Sequence, residues 1–445
     1  MKKILTTLLL SALSSSSLLA HALLIQGKRP ISDLDTMPAN HVNDTIMIEQ
    51  NTEPFANQAH HLMSDEEQLF YDARYNAKHF EPWRLKALDI SQGELTWQFK
   101  YAKEETYTRS GEKLTKEWYE NQIDNSNFSA INSVAQAAIT IKHSDMRLYP
   151  TLDEIYYDPQ RTGEGFPFDY NQNSSVYINT PLFISHYSKD KKWAYVKTAY
   201  AFGWLPMSHI ALVTPKFQEE FQNGKYSMTI TDNLNLVEDG EHISYVKMGS
   251  LFPTDYNKRY YLFAKKDKKG YAYIKHFRAN AINLISKKPI KFNQRNIAFI
   301  SKQLVGEPYG WGGKLYARDC SALTRDFFAP FGIYLPRNSR QQALESGGDY
   351  ISLANLTEEE RRQAILSNAK PFRSLLYVPG HVALYLGERD GEPIILHNYW
   401  GVRLQNGDKH IISRAIISTT RPGVERSDIK KSSMLSNTLK GIVNF

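Results

Sequence analysis

Apolar and polar residues follow a different pattern in each of three successive regions of the chain. Over residues 23–135 the pattern is mixed, with short helical stretches between irregular segments. Ser64 followed by Glu67 marks one helix start, because a serine and a glutamate at this spacing can cap the first turn. Residues 114–121 form a second short helical candidate. We therefore predict a mainly helical and irregular N-terminal domain.

From residue 136 to residue 290, short β-branched and aromatic runs alternate with polar residues between turn-forming residues, which is typical of strands. The segment Trp-Ala-Tyr-Val-Lys at residues 193–197 recurs as Tyr-Ala-Tyr-Ile-Lys at residues 271–275. Such an internal repeat indicates two copies of one small unit. We predict two small β-barrels, over residues 136–215 and 216–290, of the kind that often bind ligands beside an enzyme core.

The pattern changes again at about residue 291. A helix over residues 293–304 precedes a glycine-rich loop, a further helix and then alternating strands. Helices followed by an antiparallel sheet predict an α+β domain over residues 291–424. The polar segment over residues 425–445 is expected to be a loosely held tail.

The N-terminus carries a targeting signal. Lys2 and Lys3 precede an apolar stretch over residues 4–13, and Ala-His-Ala at residues 20–22 matches a cleavage site. We predict a signal peptide cleaved after Ala22, with a periplasmic or secreted mature protein. The alternative is an uncleaved anchor, although this apolar core is short for a membrane span. No later segment of the sequence is apolar over the length that a membrane span needs.

Composition and net charge limit the classes of molecule that the protein is expected to bind. The length of 445 residues suggests several domains, and 42% hydrophobic residues suffice for packed cores. The net charge of +7 is mild and is spread along the chain. It favours an anionic wall polymer through weak attraction, and no nucleic-acid recognition motif is present. The single cysteine excludes an intramolecular disulfide, and a retained thiol in an oxidising compartment suggests chemistry.

That cysteine, Cys320, lies in the sharpest motif of the sequence. Tyr-Gly-Trp-Gly-Gly at residues 309–313 gives a loop that can approach a ligand closely. Asp319 is a favoured helix cap, and residues 321–328 have helical spacing with an apolar stripe. Cys320 is therefore predicted in the first turn of a helix, where the free backbone N–H groups should lower the pKa of the thiol. The alternative is a buried, inert cysteine.

Two histidines lie where a proton acceptor is needed. His381 begins an alternating strand, His397 ends another, and Asp390 with Gly391 between them predicts a hairpin turn. A two-residue turn alone would place the two imidazoles on opposite faces of the sheet. We therefore predict an odd-length connection or a β-bulge that brings both onto one face, toward Cys320. If neither is present, Asn398 replaces His397 as the candidate.

At this point the segment over residues 291–420 resembles the NlpC/P60 family of cell-wall cysteine peptidases, which have a papain-like fold. The upstream region is similar to the N-terminal stabilising domain and the two bacterial SH3-type barrels of one branch of that family. The matching motifs are the 309–313 loop, Asp-Cys-Ser at 319–321, Leu-Pro-Arg-Asn-Ser at 335–339 and Gly-His-Val at 380–382.

The resemblance implies a catalytic triad of Cys320 as nucleophile, His381 as base and His397 as the residue orienting it. It also implies hydrolysis of the bond between γ-linked D-glutamate and a diamino acid, commonly meso-diaminopimelate, in stem peptides or muropeptide fragments. In related enzymes, the residues that match Asp319, Ser321 and Ser339 hold the free amine of L-alanine.

Two further roles follow from the motif positions. Arg337 could orient Asp319 or meet a substrate carboxylate, and Tyr309 could donate a hydrogen bond to the oxyanion. Ala322 departs from the family, in which many members have glycine; this adds a methyl group at the helix start and removes no reacting group.

Other functions remain open at this stage. The same fold could serve an amidase, transpeptidase or esterase, or the chain could be a non-catalytic wall-binding protein. No cofactor and no metal site is expected, because the sequence has neither a His-Glu-x-x-His motif nor a cysteine cluster. We expect a monomer.

Overall fold

The computed structural model describes residues 22–60, 62–255 and 260–445. In this part of the chain, three sheets of eight, seven and six strands are combined with helices, which confirms the α+β prediction. The predicted signal peptide, residues 1–22, lies outside the described residues except for Ala22.

The N-terminal region is helical, as predicted. Ser64 caps its longest helix by accepting a hydrogen bond from the Glu67 amide at 3.1 Å. The helix predicted over residues 114–121 begins and ends slightly later, at Lys116 and Asn125. The elements of this region are β1 (Ala22–Gln26), α1 (Asn43–Met47), α2 (Glu53–Asn57), α3 (Asp65–His79), α4 (Gln92–Thr96) and α5 (Lys116–Asn125).

Residues 136–212, which we call the first β-domain, form the seven-stranded sheet. Its strand order is β4-β3-β7-β6-β5-β2-β8. The alternating segment over residues 193–197 is strand β6, as predicted. The strands are β2 (Gln136–Thr140), β3 (Ser144–Arg147), β4 (Gln172–Val176), β5 (Pro181–Tyr187), β6 (Trp193–Lys197), β7 (Phe202–Pro206) and β8 (Ile210–Leu212).

Residues 215–287, which we call the second β-domain, provide seven of the strands of the eight-stranded sheet, in the order β11-β10-β1-β14-β13-β12-β9-β15. The eighth strand is β1, which lies antiparallel to β10 and parallel to β14. Its buried residues Ala22 and Leu24 alternate with exposed Leu23. The elements are α6 (Pro215–Phe221), β9 (Tyr226–Thr229), β10 (Leu234–Glu238), β11 (Glu241–Val246), β12 (Leu251–Asp255), β13 (Tyr260–Lys266), β14 (Ala272–Ala279) and β15 (Ile285–Lys287).

This placement of β1 corrects the predicted division of the chain at one point. The sequence analysis assigned residues 23–135 to a separate N-terminal domain, whereas β1 completes the core of the second β-domain. Leu24 packs in one apolar cluster with Leu236 and Phe277. A five-residue apolar strand next to the predicted signal sequence carries no pattern that identifies its partner strand, so only the tertiary structure shows this pairing.

The C-terminal domain forms the six-stranded sheet, with the strand order β16-β21-β17-β18-β19-β20. Leu323 and Phe327 of α8 pack against Val382 and Leu384 of β18 in its main core. Its elements are α7 (Gln294–Ser301), α8 (Cys320–Phe328), α9 (Ser339–Leu344), β16 (Asp349–Ser352), α10 (Glu358–Asn368), β17 (Ser374–Val378), β18 (His381–Arg389), β19 (Glu392–Arg403), β20 (Lys409–Thr419), α11 (Leu435–Thr438) and β21 (Gly441–Asn444).

The prediction of a loosely held tail over residues 425–445 is wrong. Strand β21 lies inside the sheet, antiparallel to both β16 and β17. Ile442 and Val443 are fully buried, and Phe445 packs against Phe328 of α8. The polar residues before this strand obscured a short apolar run that the sheet requires.

The predicted β-bulge is confirmed in the hairpin of β18 and β19. Asp390 and Gly391 form a two-residue turn with positive φ at both positions, and Arg389 pairs with Glu392. The register then shifts between Tyr385 and Gly387, so that Leu384 lies opposite Leu396. This shift of one residue reverses the side-chain parity and brings His381 and His397 onto the same face.

Candidate active site

Cys320 is the first residue of α8, as predicted. The Asp319 side chain caps the helix by accepting a hydrogen bond from the Ala322 amide at 2.8 Å. Cys320 retains 8% exposure and lines a cleft, while the residues that follow it are packed in the core. The helix therefore presents one thiol to the cleft from a rigid support.

The carboxylate of Asp319 accepts hydrogen bonds from several groups of the protein. Besides the cap, it accepts two hydrogen bonds from the Arg337 guanidinium, at 3.1 and 2.6 Å. It also accepts one from the Ser321 hydroxyl at 3.1 Å and one from the Gly312 amide at 3.2 Å. A carboxylate offers about four lone-pair positions. The orienting role of Arg337 is therefore supported, and the geometry favours a structural role for Asp319 over the binding of a substrate amine.

The two predicted histidines are in direct contact. His381 Nε2 lies 2.8 Å from His397 Nδ1, and His397 Nε2 lies 3.0 Å from the Ser418 hydroxyl. Both imidazoles also pack against the Tyr399 ring, with centroid distances of 5.4 and 4.7 Å. His397 is fully buried, so its orientation is fixed on every side.

The hydrogen bonds around Ser418 favour one pair of tautomers in this relay. The Ser418 hydroxyl donates to the Thr419 carbonyl at 2.7 Å, which leaves Ser418 Oγ to accept from His397 Nε2–H. His397 Nδ1 is then unprotonated and accepts from His381 Nε2–H. Because a neutral imidazole carries one proton, Nδ1 of His381 keeps its lone pair. The relay therefore presents one basic nitrogen.

The thiol and the imidazoles meet at one end of the sheet. The backbone of Val382, the residue after His381, forms a hydrogen bond that stabilises the thiolate of Cys320. Among the described residues, the thiol makes no hydrogen bond to either imidazole. In free enzymes such catalytic hydrogen bonds are often long and tighten with substrate.

The prediction of a lowered thiol pKa is wrong for this structure. Burial and the neighbouring Asp319 carboxylate raise the pKa of Cys320 to about 12, and they outweigh the Val382 backbone and the Arg337 guanidinium. Burial also lowers the pKa of His381 to about 4 and that of His397 well below its usual value. The resting pair is therefore a neutral thiol beside a neutral imidazole.

Tyr309 lies beside this pair. Burial raises the pKa of its phenol well above the usual value, and the Asp319 carboxylate adds to this shift, so the hydroxyl stays protonated. Among the described residues, that hydroxyl has no hydrogen-bond partner. A protonated, unused donor next to the nucleophile can stabilise an oxyanion.

The cleft in front of Cys320 has a volume of about 720 Å³ and is walled by three parts of the chain. Ser321, Arg337 and Ser339 line it on the side of the C-terminal domain. The opposite walls come from the first β-domain and the N-terminal region, whereas no described residue of the second β-domain lines the cleft. Ser339 is buried at the first position of α9, within this cleft.

The first β-domain also supports the loop over residues 309–313. Gly312 and Gly313 have positive φ, and a Cβ on Gly313 would come within 2.4 Å of the Ser175 hydroxyl. The next residue, Lys314, forms an ion pair of 2.6 Å with buried Asp169. Glycine is therefore required where the loop meets strand β4.

Sequence reasoning missed several supporting residues. Ser418 orients His397, and Ser174 of β4 accepts a hydrogen bond from Arg337 Nε at 2.8 Å. Asn398, the alternative to His397, instead donates to the Arg318 carbonyl at 2.8 Å, two residues before Cys320. Serine and asparagine in strands give no pattern that distinguishes them from ordinary polar residues, so the sequence carried no signal.

Among the described residues, no three histidine, cysteine or acidic side chains converge as metal ligands. None of the described helices combines the length and the apolar character needed to cross a bilayer.

Three families match successive parts of the chain. The NLPC_P60 stabilising domain matches residues 4–130, the SH3 domain of SH3b1 type matches residues 154–206, and the NlpC/P60 family matches residues 306–421. The first β-domain is thus SH3-like. No curated protein is recognisably similar in sequence.

Among solved structures, an NlpC/P60 endopeptidase from Photobacterium damselae subsp. piscicida is similar with a TM-score of 0.78 and 23% identity, over 92% of this chain and 98% of that chain. An NlpC/P60 family protein from Bacillus cereus ATCC 10987 matches with a TM-score of 0.41 and 14% identity, over 68% of this chain and 98% of that chain. The C-terminal domain therefore matches the NlpC/P60 family, and the regions before it match the stabilising domain of that family and an SH3 domain.

Proposed function

We propose that this protein is a cysteine endopeptidase that hydrolyses the bond between γ-linked D-glutamate and meso-diaminopimelate in cell-wall stem peptides. The observation that carries the proposal is the directed relay of Ser418, His397 and His381 at the end of the sheet where Cys320 opens α8. The family resemblance supports the choice of bond.

The first chemical step forms a thioester. The Sγ of Cys320 attacks the γ-carbonyl carbon of D-glutamate while the thiol proton passes to Nδ1 of His381, so no free thiolate has to accumulate. We assign stabilisation of the oxyanion to the Tyr309 hydroxyl and the backbone N–H of Cys320. His381 then returns the proton to the departing amine of the diamino acid.

The second step releases the glutamyl product. A water molecule gives a proton to His381 and its oxygen attacks the thioester carbon; the C–S bond breaks and the thiol is protonated again. His397 holds the His381 ring through both steps, because its own ring is fixed by Ser418. Water supplies both the hydroxyl group of the product acid and the proton of the thiol.

Mass spectrometry of muropeptides digested with the purified protein tests this assignment. We expect two products separated at the D-glutamyl–diaminopimelate bond, no product with Cys320→Ala, and unchanged activity in EDTA. Cys320→Ala removes one small side chain and should leave the unfolding midpoint close to that of the wild type. Full activity of Cys320→Ala, or cleavage at another amide, would exclude the proposed reaction.

We further propose that the protein acts outside the cytoplasm as a monomer, after removal of residues 1–22. The basic and apolar N-terminal pattern supports export. The mass of the protein recovered from the periplasm or medium tests this proposal, since it should begin at Leu23. Full-length protein confined to the cytoplasm would contradict it.

A further inference from the structure

The cleft continues beyond Asp319 and Arg337 along a row of aromatic rings. Trp311, Tyr170, Tyr101 and Trp97 all line it, and their successive ring centroids are 5.9, 5.7 and 6.1 Å apart. We call these four residues the aromatic wall. It leads from the glycine-rich loop beside the thiol to the N-terminal region.

Trp97 forms the outer end of the aromatic wall. Its side chain is 40% exposed, although the neighbouring Tyr101 is only 4% exposed. Trp97 belongs to none of the apolar clusters formed by the described residues. Its ring contacts are with the Tyr101 ring and with the Lys100 ammonium, 5.5 Å from the Trp97 centroid, and they leave much of the indole open to the cleft.

A lysine that can donate a hydrogen bond lines the same cleft. Three cations line it, and two are already neutralised: Lys78 pairs with Glu81 at 3.0 Å, and Arg337 pairs with Asp319. The third, Lys197, is half-buried and has no hydrogen-bond or ion-pair partner among the described residues. Burial lowers the pKa of Lys197, which is expected for an ammonium group without a close partner.

The hydrogen bonds of the Asp319 carboxylate indicate which part of the substrate can lie in this region of the cleft. Asp319 already accepts five hydrogen bonds from the protein, so its carboxylate has little capacity left for a substrate amine. In peptidoglycan, L-alanine is instead acylated by the lactyl group of an amino sugar. The pyranose ring of such a sugar has an apolar C–H face, which stacks on aromatic rings, and polar substituents, which accept hydrogen bonds.

We propose that the aromatic wall, with Lys197, is a subsite for the amino-sugar ring attached to the stem peptide. The inference rests on the proposed endopeptidase function and narrows its substrate to sugar-bearing muropeptides. Trp97 supplies the stacking surface, and Lys197 donates to an oxygen of the sugar or its lactyl group.

Two matched substrates test the subsite: N-acetylmuramyl-L-Ala-γ-D-Glu-meso-diaminopimelyl-D-Ala, and the same tetrapeptide without the sugar. In Trp97→Ala, KM for the sugar-bearing substrate should rise between about threefold and tenfold, because one stacking contact is lost. The turnover number of that substrate and both constants of the free tetrapeptide should stay unchanged. Trp97→Phe should restore part of the loss.

Tyr273→Ala provides the control, because Tyr273 has the same 40% exposure but lies on β14, outside the cleft. It should change neither substrate. Equal effects of Trp97→Ala on both substrates, no effect on either, or rejection of the sugar-bearing substrate by the wild type would overturn the subsite while leaving the peptidase function intact. If the wild type cleaves neither substrate, the proposed function itself fails.

Discussion

The two β-domains support the surroundings of Cys320 through different groups. The first β-domain reaches the cleft: Ser174 accepts a hydrogen bond from Arg337, and Lys197 and Tyr200 line the cleft. The second β-domain contributes no described residue to the cleft. It holds Arg318 instead, through two hydrogen bonds from the guanidinium to Asp232, at 2.8 and 2.9 Å.

We infer from this difference that the first β-domain contributes to substrate binding and that the second positions the nucleophile. Arg318 is fully buried two residues before Cys320, and it also contacts Glu307 and Asp326 within the C-terminal domain. Lys247 of the second β-domain joins the same network through Asp232 and Glu307. Changes in the second β-domain should therefore act on stability, whereas changes in the first should act on substrate binding.

The largest expected effect is that of Asp232→Ala. It leaves the guanidinium of Arg318 and the ammonium of Lys247 buried without their shared carboxylate, which should lower the free energy of unfolding by about 3–5 kcal/mol. Denaturant titration measures the loss. Asp232→Asn, which keeps the shape and loses the charge, should show a smaller loss and allows the test if Asp232→Ala does not fold.

Glu241→Ala is the control for Asp232, because Glu241 is an exposed carboxylate on β11 of the same domain. It should change the free energy of unfolding by less than about 0.5 kcal/mol. A loss below about 1 kcal/mol in Asp232→Ala would contradict the positioning role, since breaking a buried ion pair has a much larger cost.

The protonation of Cys320 gives the next largest effect. With a pKa raised to about 12, the thiol is protonated at neutral pH, so iodoacetamide should react at least about a hundredfold more slowly than with an unperturbed thiol. Because the thiolate is the reacting form, the rate should rise by about tenfold per pH unit between pH 7 and pH 10. A rate that is already constant at pH 6 would instead indicate a thiolate–imidazolium pair.

The alkylation profile also separates the two β-domains. Arg337, which Ser174 holds in place, lowers the pKa of Cys320, so a change at Ser174 should shift the profile toward higher pH. Asp232→Asn should leave the profile of the folded protein unchanged, because its carboxylate acts on Arg318 and not on the thiol.

Local patterns in the sequence predicted the reacting residues, while contacts distant in sequence did not follow from it. The bulge before His397 could be predicted because side chains in a strand alternate strictly, so that two imidazoles on one face require a register shift. Ser174 could not be linked to Arg337, since the two residues are 163 positions apart. The predicted direction of the Cys320 pKa shift was wrong because the sequence shows only the local helix start. The burial that raises this pKa comes from residues that are distant in the sequence.

Ser418 serves as a reference, because among the described residues it forms no hydrogen bond to either β-domain. Ser418→Ala removes the acceptor that fixes the tautomer of His397, so turnover should fall by about tenfold while KM stays unchanged. Ser418→Thr should restore part of the activity, because it keeps a hydroxyl group. If Ser418→Ala lowers the unfolding midpoint and leaves turnover intact, Ser418 has only a structural role.

The smallest effect is expected from a substitution of Ser174, which should weaken the binding of substrate. Ser174→Ala removes the acceptor for Arg337 Nε but leaves both hydrogen bonds from the guanidinium to Asp319, so that the free energy of unfolding should fall by only about 1 kcal/mol. The first β-domain then holds Arg337 less firmly, and KM should rise more than turnover falls.

Ser133→Ala, at an exposed serine before β2, should change neither quantity. If Ser174→Ala lowers stability as much as Asp232→Ala and leaves KM unchanged, the two β-domains do not differ in role, and both only support the helix that carries Cys320.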